Sequence, residues 1–342
     1  MKNKIAIASA FLAASSFSTA EIVINDFLSF EGFIDMSYYH VDGEYDKDDV
    51  SENSFQIDQV EISWLFDFDP VTAQIDLQYE GGDSDTIVEQ AFATYHFDNG
   101  GAITAGRYAS MLGFEAFEPT GLYQYSFAYD LGVLLPGYNQ GVKYTYETDS
   151  TFFGISLQDS GVTDAYDNRL GGNDDDFSDD GGFGVEVAGA LYMDNGLSFF
   201  LGGAIEDGDN GDSYIVNSYV TFETGAWIFA GEVNYGESDF DVNDFYGFGF
   251  GETEIFSALI MANFAYSDAA SITARVSYID GEDDGIFGGY DFELIKYTLA
   301  HGYAFTDNLF LVTEVSYADG EIYDGDEEFD ALSAAVELIF SF

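Results

Sequence analysis

The chain has 342 residues, and 64 Asp and Glu against 8 Lys and Arg give it a formal net charge of −56, which excludes nucleic acid, itself an anion, as a partner. Hydrophobic residues make up 47% and aromatics 18%, too many for a disordered acidic tail, and the lack of cysteine excludes disulfides, thiolate metal sites and cysteine nucleophiles. Beyond the first twenty residues no run of about eighteen apolar residues offers a transmembrane helix, which leaves a soluble β-protein or a membrane β-barrel.

Residues 1–20 read as a secretory signal peptide. Met1-Lys2-Asn3-Lys4 is basic, Ile5 to Ala14 is apolar but too short to span a bilayer, and Ser18-Thr19-Ala20 offers small residues before Glu21. Its loss would remove Lys2 and Lys4 and leave residues 21–342 with six bases and 64 acids, 6 − 64 = −58.

Sixteen tracts of apolar and polar residues follow, at 27–41, 54–68, 71–80, 86–97, 102–109, 139–147, 151–159, 182–193, 197–206, 214–223, 226–236, 252–265, 271–280, 291–304, 309–318 and 329–342. In the eleventh, Trp227, Phe229, Val233 and Tyr235 share one face while Glu232 and Asn234 share the other. Period-two alternation marks a strand, and in a membrane barrel the apolar face meets lipid and the polar face the lumen. The fourth, fifth and ninth tracts alternate poorly.

Seven short joins, among them Asp69-Pro70, Asp98-Asn99-Gly100-Gly101 and Asp194-Asn195-Gly196, suit tight hairpins. They alternate with eight mostly longer, acidic connections, the pattern of an even-stranded outer-membrane barrel. Trp64, Tyr95, Trp227, Tyr303 and Phe340 lie near the short joins, and Tyr38, Tyr235, Tyr278 and Tyr317 near the long ones, as two interfacial belts would require. The expected fold is all-β, a closed antiparallel transmembrane β-barrel of about 16 strands.

The longest connection, Ser110 to Tyr138, is also the most apolar, with Leu112, Phe114, Phe117, Leu122, Tyr123, Tyr125 and Phe127 among its residues. Such a segment needs shelter from water, and the barrel interior is nearest. The expectation is an inward-folded loop at about 110–138, with Glu115, Glu118 and, at its base, Arg107 forming a pore constriction. The alternative is two additional strands, making eighteen.

The residues Gly106-Arg107-Tyr108, Gly113-Phe114-Glu115, Glu118-Pro119, Tyr125-Ser126, Pro136 and Gly141-Val142 resemble the β-barrel porin family of Gram-negative outer membranes. The opening Phe30-Glu31-Gly32-Phe33-Ile34-Asp35-Met36-Ser37-Tyr38 is similar to that family's first strand. The resemblance implies an outer-membrane porin in contact with lipid and lipopolysaccharide, and a homotrimer, but names no solute. At the end of the chain Val336, Leu338, Phe340 and Phe342 alternate with Glu337, Ile339 and Ser341. A last strand closing on Phe342 resembles the signal that barrel-assembly machinery reads.

Alternation places Glu31, Asp35, Glu61, Asp76, Glu186, Glu232, Glu314 and Glu337 on polar faces, with Lys143, Arg275 and Lys296 as their basic counterparts. Acids in that excess predict a negative lumen that favours cations. The bases either form a strip opposite the acids or are isolated ion-pair partners. The runs at 174–176, 206–212, 281–285 and 324–328 are acidic and read as solvated loops; none has EF-hand spacing. His40, His96 and His301 sit in no nucleophile or zinc motif. No enzyme activity, cofactor or metal is therefore expected. The expected function is a passive, cation-preferring channel for small hydrophilic solutes. The alternative is a barrel-anchored surface protein presenting acidic loops for adhesion or divalent-cation binding.

Overall fold

The computed structural model describes residues 21–45, 48–80, 86–129, 135–159, 183–208, 211–239, 252–283, 290–322 and 327–342. The expected signal peptide and the acidic run at 174–176 lie outside them, as do 209–210, 284–285 and 324–326 of the other acidic runs. The strands are β1 (Ile22–Asn25), β2 (Leu28–Tyr45), β3 (Asp48–Asp67), β4 (Val71–Glu80), β5 (Ile87–His96), β6 (Gly101–Ala109), β7 (Tyr138–Glu147), β8 (Thr151–Gln158), β9 (Phe183–Tyr192), β10 (Leu197–Gly208), β11 (Gly211–Thr224), β12 (Trp227–Asp239), β13 (Glu252–Ser267), β14 (Ala270–Asp283), β15 (Tyr290–Thr306), β16 (Leu309–Ile322) and β17 (Glu327–Ser341).

Each strand from β2 onward pairs antiparallel with the next, and β17 returns to β2 through Leu338↔Met36 and Val336↔Tyr38. These sixteen strands close into a barrel, which leaves no edge in the hydrocarbon. β1 is a short hairpin arm on the start of β2, with Ile22 opposite Phe30. All sixteen expected tracts coincide with barrel strands to within a few residues.

The faces are inverted relative to a soluble protein. Leu201 is 62% exposed and Ile260 66%, while Glu232 on β12 and Asn217 on β11 are buried. Apolar side chains pointing out and polar ones pointing in are what lipid outside and protein or water inside select. Near the short turns, Trp227 stacks on Phe264 of β13 at 4.4 Å, and Tyr303 meets Phe305 at 5.1 Å. Toward the other rim Tyr38 packs on Phe55 at 4.6 Å and Tyr214 on Tyr235 at 6.1 Å. The short turns use the residues their geometry demands: Gly100, Gly196 and Gly225 have φ of 90°, 84° and 62°, and Asn99 and Asn195 accept the amides of Gly101 and Leu197.

Two expectations need correction. Much of the acid at 206–212, 281–283 and 327–328 belongs to strands β10, β11, β14 and β17 rather than to loops. β3 runs 20 residues, about twice the nine to eleven a tilted strand needs to cross the hydrocarbon, so the paired strands continue past the membrane into water. The eighteen-strand alternative also fails: among the described residues between β6 and β7 there is no strand, only a 3-10 turn at Pro119–Gly121.

Candidate functional site: a loop seated inside the barrel

The segment between β6 and β7 packs against the inner faces of the strands. Its Leu112, Phe114, Tyr123 and Ala128 form one buried cluster with Phe152 of β8, Ala188 and Ala190 of β9, Phe200 and Ala204 of β10, Ile215 and Tyr219 of β11, and Leu259 and Met261 of β13. Those wall residues occupy inward positions, where an unobstructed aqueous lumen would select polar groups. Two glycines shape the seat. A Cβ on Gly202 would stand 2.4 Å from Leu112 Cδ2, and one on Gly154 would stand 2.2 Å from Met111 Sδ.

A loop without secondary structure must satisfy its own backbone, and acids on the wall do this. Glu186 accepts the Met111 amide at 2.6 Å and the Ser110 hydroxyl at 2.8 Å. Asn217 accepts the Gly113 amide at 3.1 Å. Glu232 accepts the Phe114 amide at 2.7 Å and the Tyr129 hydroxyl at 3.0 Å, and Glu314 accepts the Ser126 amide and hydroxyl at 3.1 and 2.6 Å. An intramolecular hydrogen bond of this kind contributes about 0.5–1.5 kcal/mol net.

Bases hold the loop carbonyls. Arg275 donates to the carbonyls of Ser126 and Phe127 at 2.9 and 2.8 Å and forms an ion pair with Glu115. Glu115 is fixed in turn by Gln124 and the Ala128 amide. Lys296 reaches the Phe127 carbonyl at 3.2 Å, and Ser277 on β14 donates to the Ala128 carbonyl at 2.6 Å. Lys143 holds the Ala109 carbonyl at 3.2 Å and lies 4.3 Å from the Tyr108 ring centroid.

The loop also reaches the far wall. Glu118 accepts from Gln59 of β3 at 2.7 Å and from the Tyr138 hydroxyl at 2.9 Å; burial pushes its carboxyl up from the ordinary range. Tyr125 contacts Ser37 of β2 at 3.3 Å and donates to Asp58 of β3 at 3.4 Å. Burial pushes the Tyr125 hydroxyl up to about 12, so it remains a donor at neutral pH. β2 and β3 stand eight strands around the circle from β10 and β11. The loop is thus a crossbar bonded to opposite walls.

The expected lumen residues divide accordingly. Glu186, Glu232, Glu314, Arg275 and Lys296 point inward but lie beneath the loop, each no more than 5% exposed. The three expected bases form no strip of free charge opposite the acids. Arg107 is buried at the loop's base, donating from Nε to the Glu89 carbonyl at 2.8 Å and lying 6.0 Å from the Tyr138 ring centroid. Glu31, Asp35, Glu61, Asp76 and Glu337 occupy the inner faces of β2, β3, β4 and β17, with Asp76 held by Gln74 and Gln90 at 2.9 and 2.7 Å. His96 and His301 lie toward the short-turn rim, bonded to Thr72 and Tyr266.

Sequence reasoning missed Glu89, Asn217, Gln59 and the glycine seats. Glu89 sits at a bulge where Asp76↔Gln90 gives way to Leu77↔Val88. The additional residue breaks the period-two count that would have placed it.

No curated protein sequence matches the chain. A family profile described as "Putative beta-barrel porin-2, OmpL-like" matches residues 28–342. The chain belongs to that family. Similar solved structures agree on the fold. The outer membrane channel DcaP of Acinetobacter baumannii superposes with a TM-score of 0.65 at 12% identity, over 92% of this chain and 97% of that one. An anion-selective porin from Comamonas acidovorans gives 0.60 at 12%, over 92% and 99%. The trimer form of in vitro folded OmpT, an outer membrane protein of Vibrio cholerae, gives 0.59 at 12%, over 92% and 99%. Family and fold together make the chain a porin-like barrel of a Gram-negative outer membrane.

Proposed function

We propose that this porin is a passive diffusion channel for small hydrophilic solutes that prefers cations, with the loop between β6 and β7 as its constriction. The observation that carries the reading is the use of charge inside the barrel. Inward acids outnumber bases, and Arg275 and Lys296 are directed to loop carbonyls or to Glu115 while Lys143 is directed to the Ala109 carbonyl at the end of β6. Field lines confined by low-dielectric walls concentrate that imbalance on the remaining passage. Because the crossbar occupies part of the lumen, the expected conductance is small. Selectivity belongs to each barrel's own charges, which is why a fold shared with an anion-selective porin does not carry over.

Residues 1–20 would direct export, Phe342 would engage barrel-assembly machinery, and the apolar belt would meet lipid and lipopolysaccharide. A homotrimer belongs to the same proposal, supported by the trimer form of OmpT. Purified protein in a planar bilayer should give discrete ohmic steps. Absence of any step, with folded barrel present, overturns the channel reading. The long acidic strand extensions favour a second reading, an anchored barrel presenting acidic hairpins for adhesion or cation binding, which that same absence would support.

A further inference from the structure

We propose that Glu61, Glu89 and Glu118 bind one divalent cation of the calcium or magnesium class, which fastens the inward loop to β3 and β5. Glu61 comes from β3, Glu89 from the β5 bulge and Glu118 from the loop, and each offers a carboxylate oxygen within 4.8 Å of the other two. Ligands on opposite sides of a calcium ion at about 2.4 Å stand about 4.8 Å apart, so one ion can touch all three.

A second observation points to a ligand. Glu61 Oε2 and Glu89 Oε2 are buried without a hydrogen-bond donor, on residues only 6% and 4% exposed. A buried carboxylate oxygen left without a donor or a cation is costly. The surrounding bonds hold the carboxylates in place while leaving those oxygens open. Ser63 fixes Glu61 Oε1 at 2.8 Å, and Tyr138 and Gln59 orient Glu118, as outer groups orient metal ligands. All three ligands are hard oxygens, the set that calcium and magnesium take and that zinc or copper seldom share. Water would complete the coordination, as is common for these ions.

A cation here would offset part of the inward negative charge, but its binding and the sign of the ion selectivity are measured separately, so either reading can fail alone. It is tested on the complete folded barrel, stripped with chelator and titrated with calcium chloride by calorimetry. Wild type should bind one more tight equivalent than the E61Q/E89Q variant, with the acidic strand ends giving the same weak background in both. Heat-modifiable migration on a gel reports whether the variant has folded. Equal stoichiometry in the two folded proteins overturns the proposal. A manganese soak of wild-type crystals needs no variant: an anomalous peak between the three carboxylates supports the site, and none there, meaning proton sharing alone neutralises the cluster, overturns it.

Discussion

Replacing Arg275 with methionine should release the loop while leaving the barrel intact. The guanidinium is the partner of Glu115, whose side chain is 11% exposed, and it holds the carbonyls of Ser126 and Phe127. Arg275→Met leaves the partly buried Glu115 carboxylate without its cation and the Ser126 carbonyl without its donor, and takes one of two donors from the Phe127 carbonyl. Removing one partner of a buried pair costs about 3–5 kcal/mol, equivalent to roughly two to three and a half decades in the loop's opening equilibrium at about 1.4 kcal/mol per decade. Amide hydrogen exchange in detergent micelles reads that equilibrium directly. The Ser126 and Ala128 amides, bonded to Glu314 and Glu115, should lose protection by about that factor, while amides of β13 to β15 keep theirs. Adding Glu115→Gln should recover part of the loss, because the uncompensated carboxylate is then gone. Wild-type exchange at Ser126 and Ala128 in Arg275→Met would refute the crossbar reasoning.

Two further changes probe other parts of the fold. Gly202→Val drives a side chain into Leu112, an overpacking cost of about 1–3 kcal/mol; the loop should become open to protease and the conductance should rise, and an unchanged trace in a folded variant would count against the seat. Deleting Phe342 removes the paired bonds with Gly32 at 2.8 and 2.9 Å and the expected assembly signal. Barrel levels in the outer membrane should fall while folding into detergent proceeds, and undiminished levels in cells would dismiss the signal.

The barrel was legible because its two physical demands, lipid outside and a ladder with no edge, write a period-two pattern into every strand. Leu338, Phe340 and Glu337 announce the last strand without any tertiary knowledge. The pattern faded where the inside is not water. Phe200, Gly202 and Ala204 face the loop rather than solvent, so the ninth tract looked apolar on both faces. The fourth was obscured by the Glu89 bulge. The loop's apolar character was plain in its residues. Its partners were not, because Glu232 serving the Phe114 amide across 118 positions leaves no local trace.

A zero-current potential tests the cation preference of the passage most directly. With the barrel in a neutral bilayer and potassium chloride more concentrated on one side, cations crossing faster than chloride should make the dilute compartment positive. A negative dilute compartment, meaning faster chloride, would contradict the account.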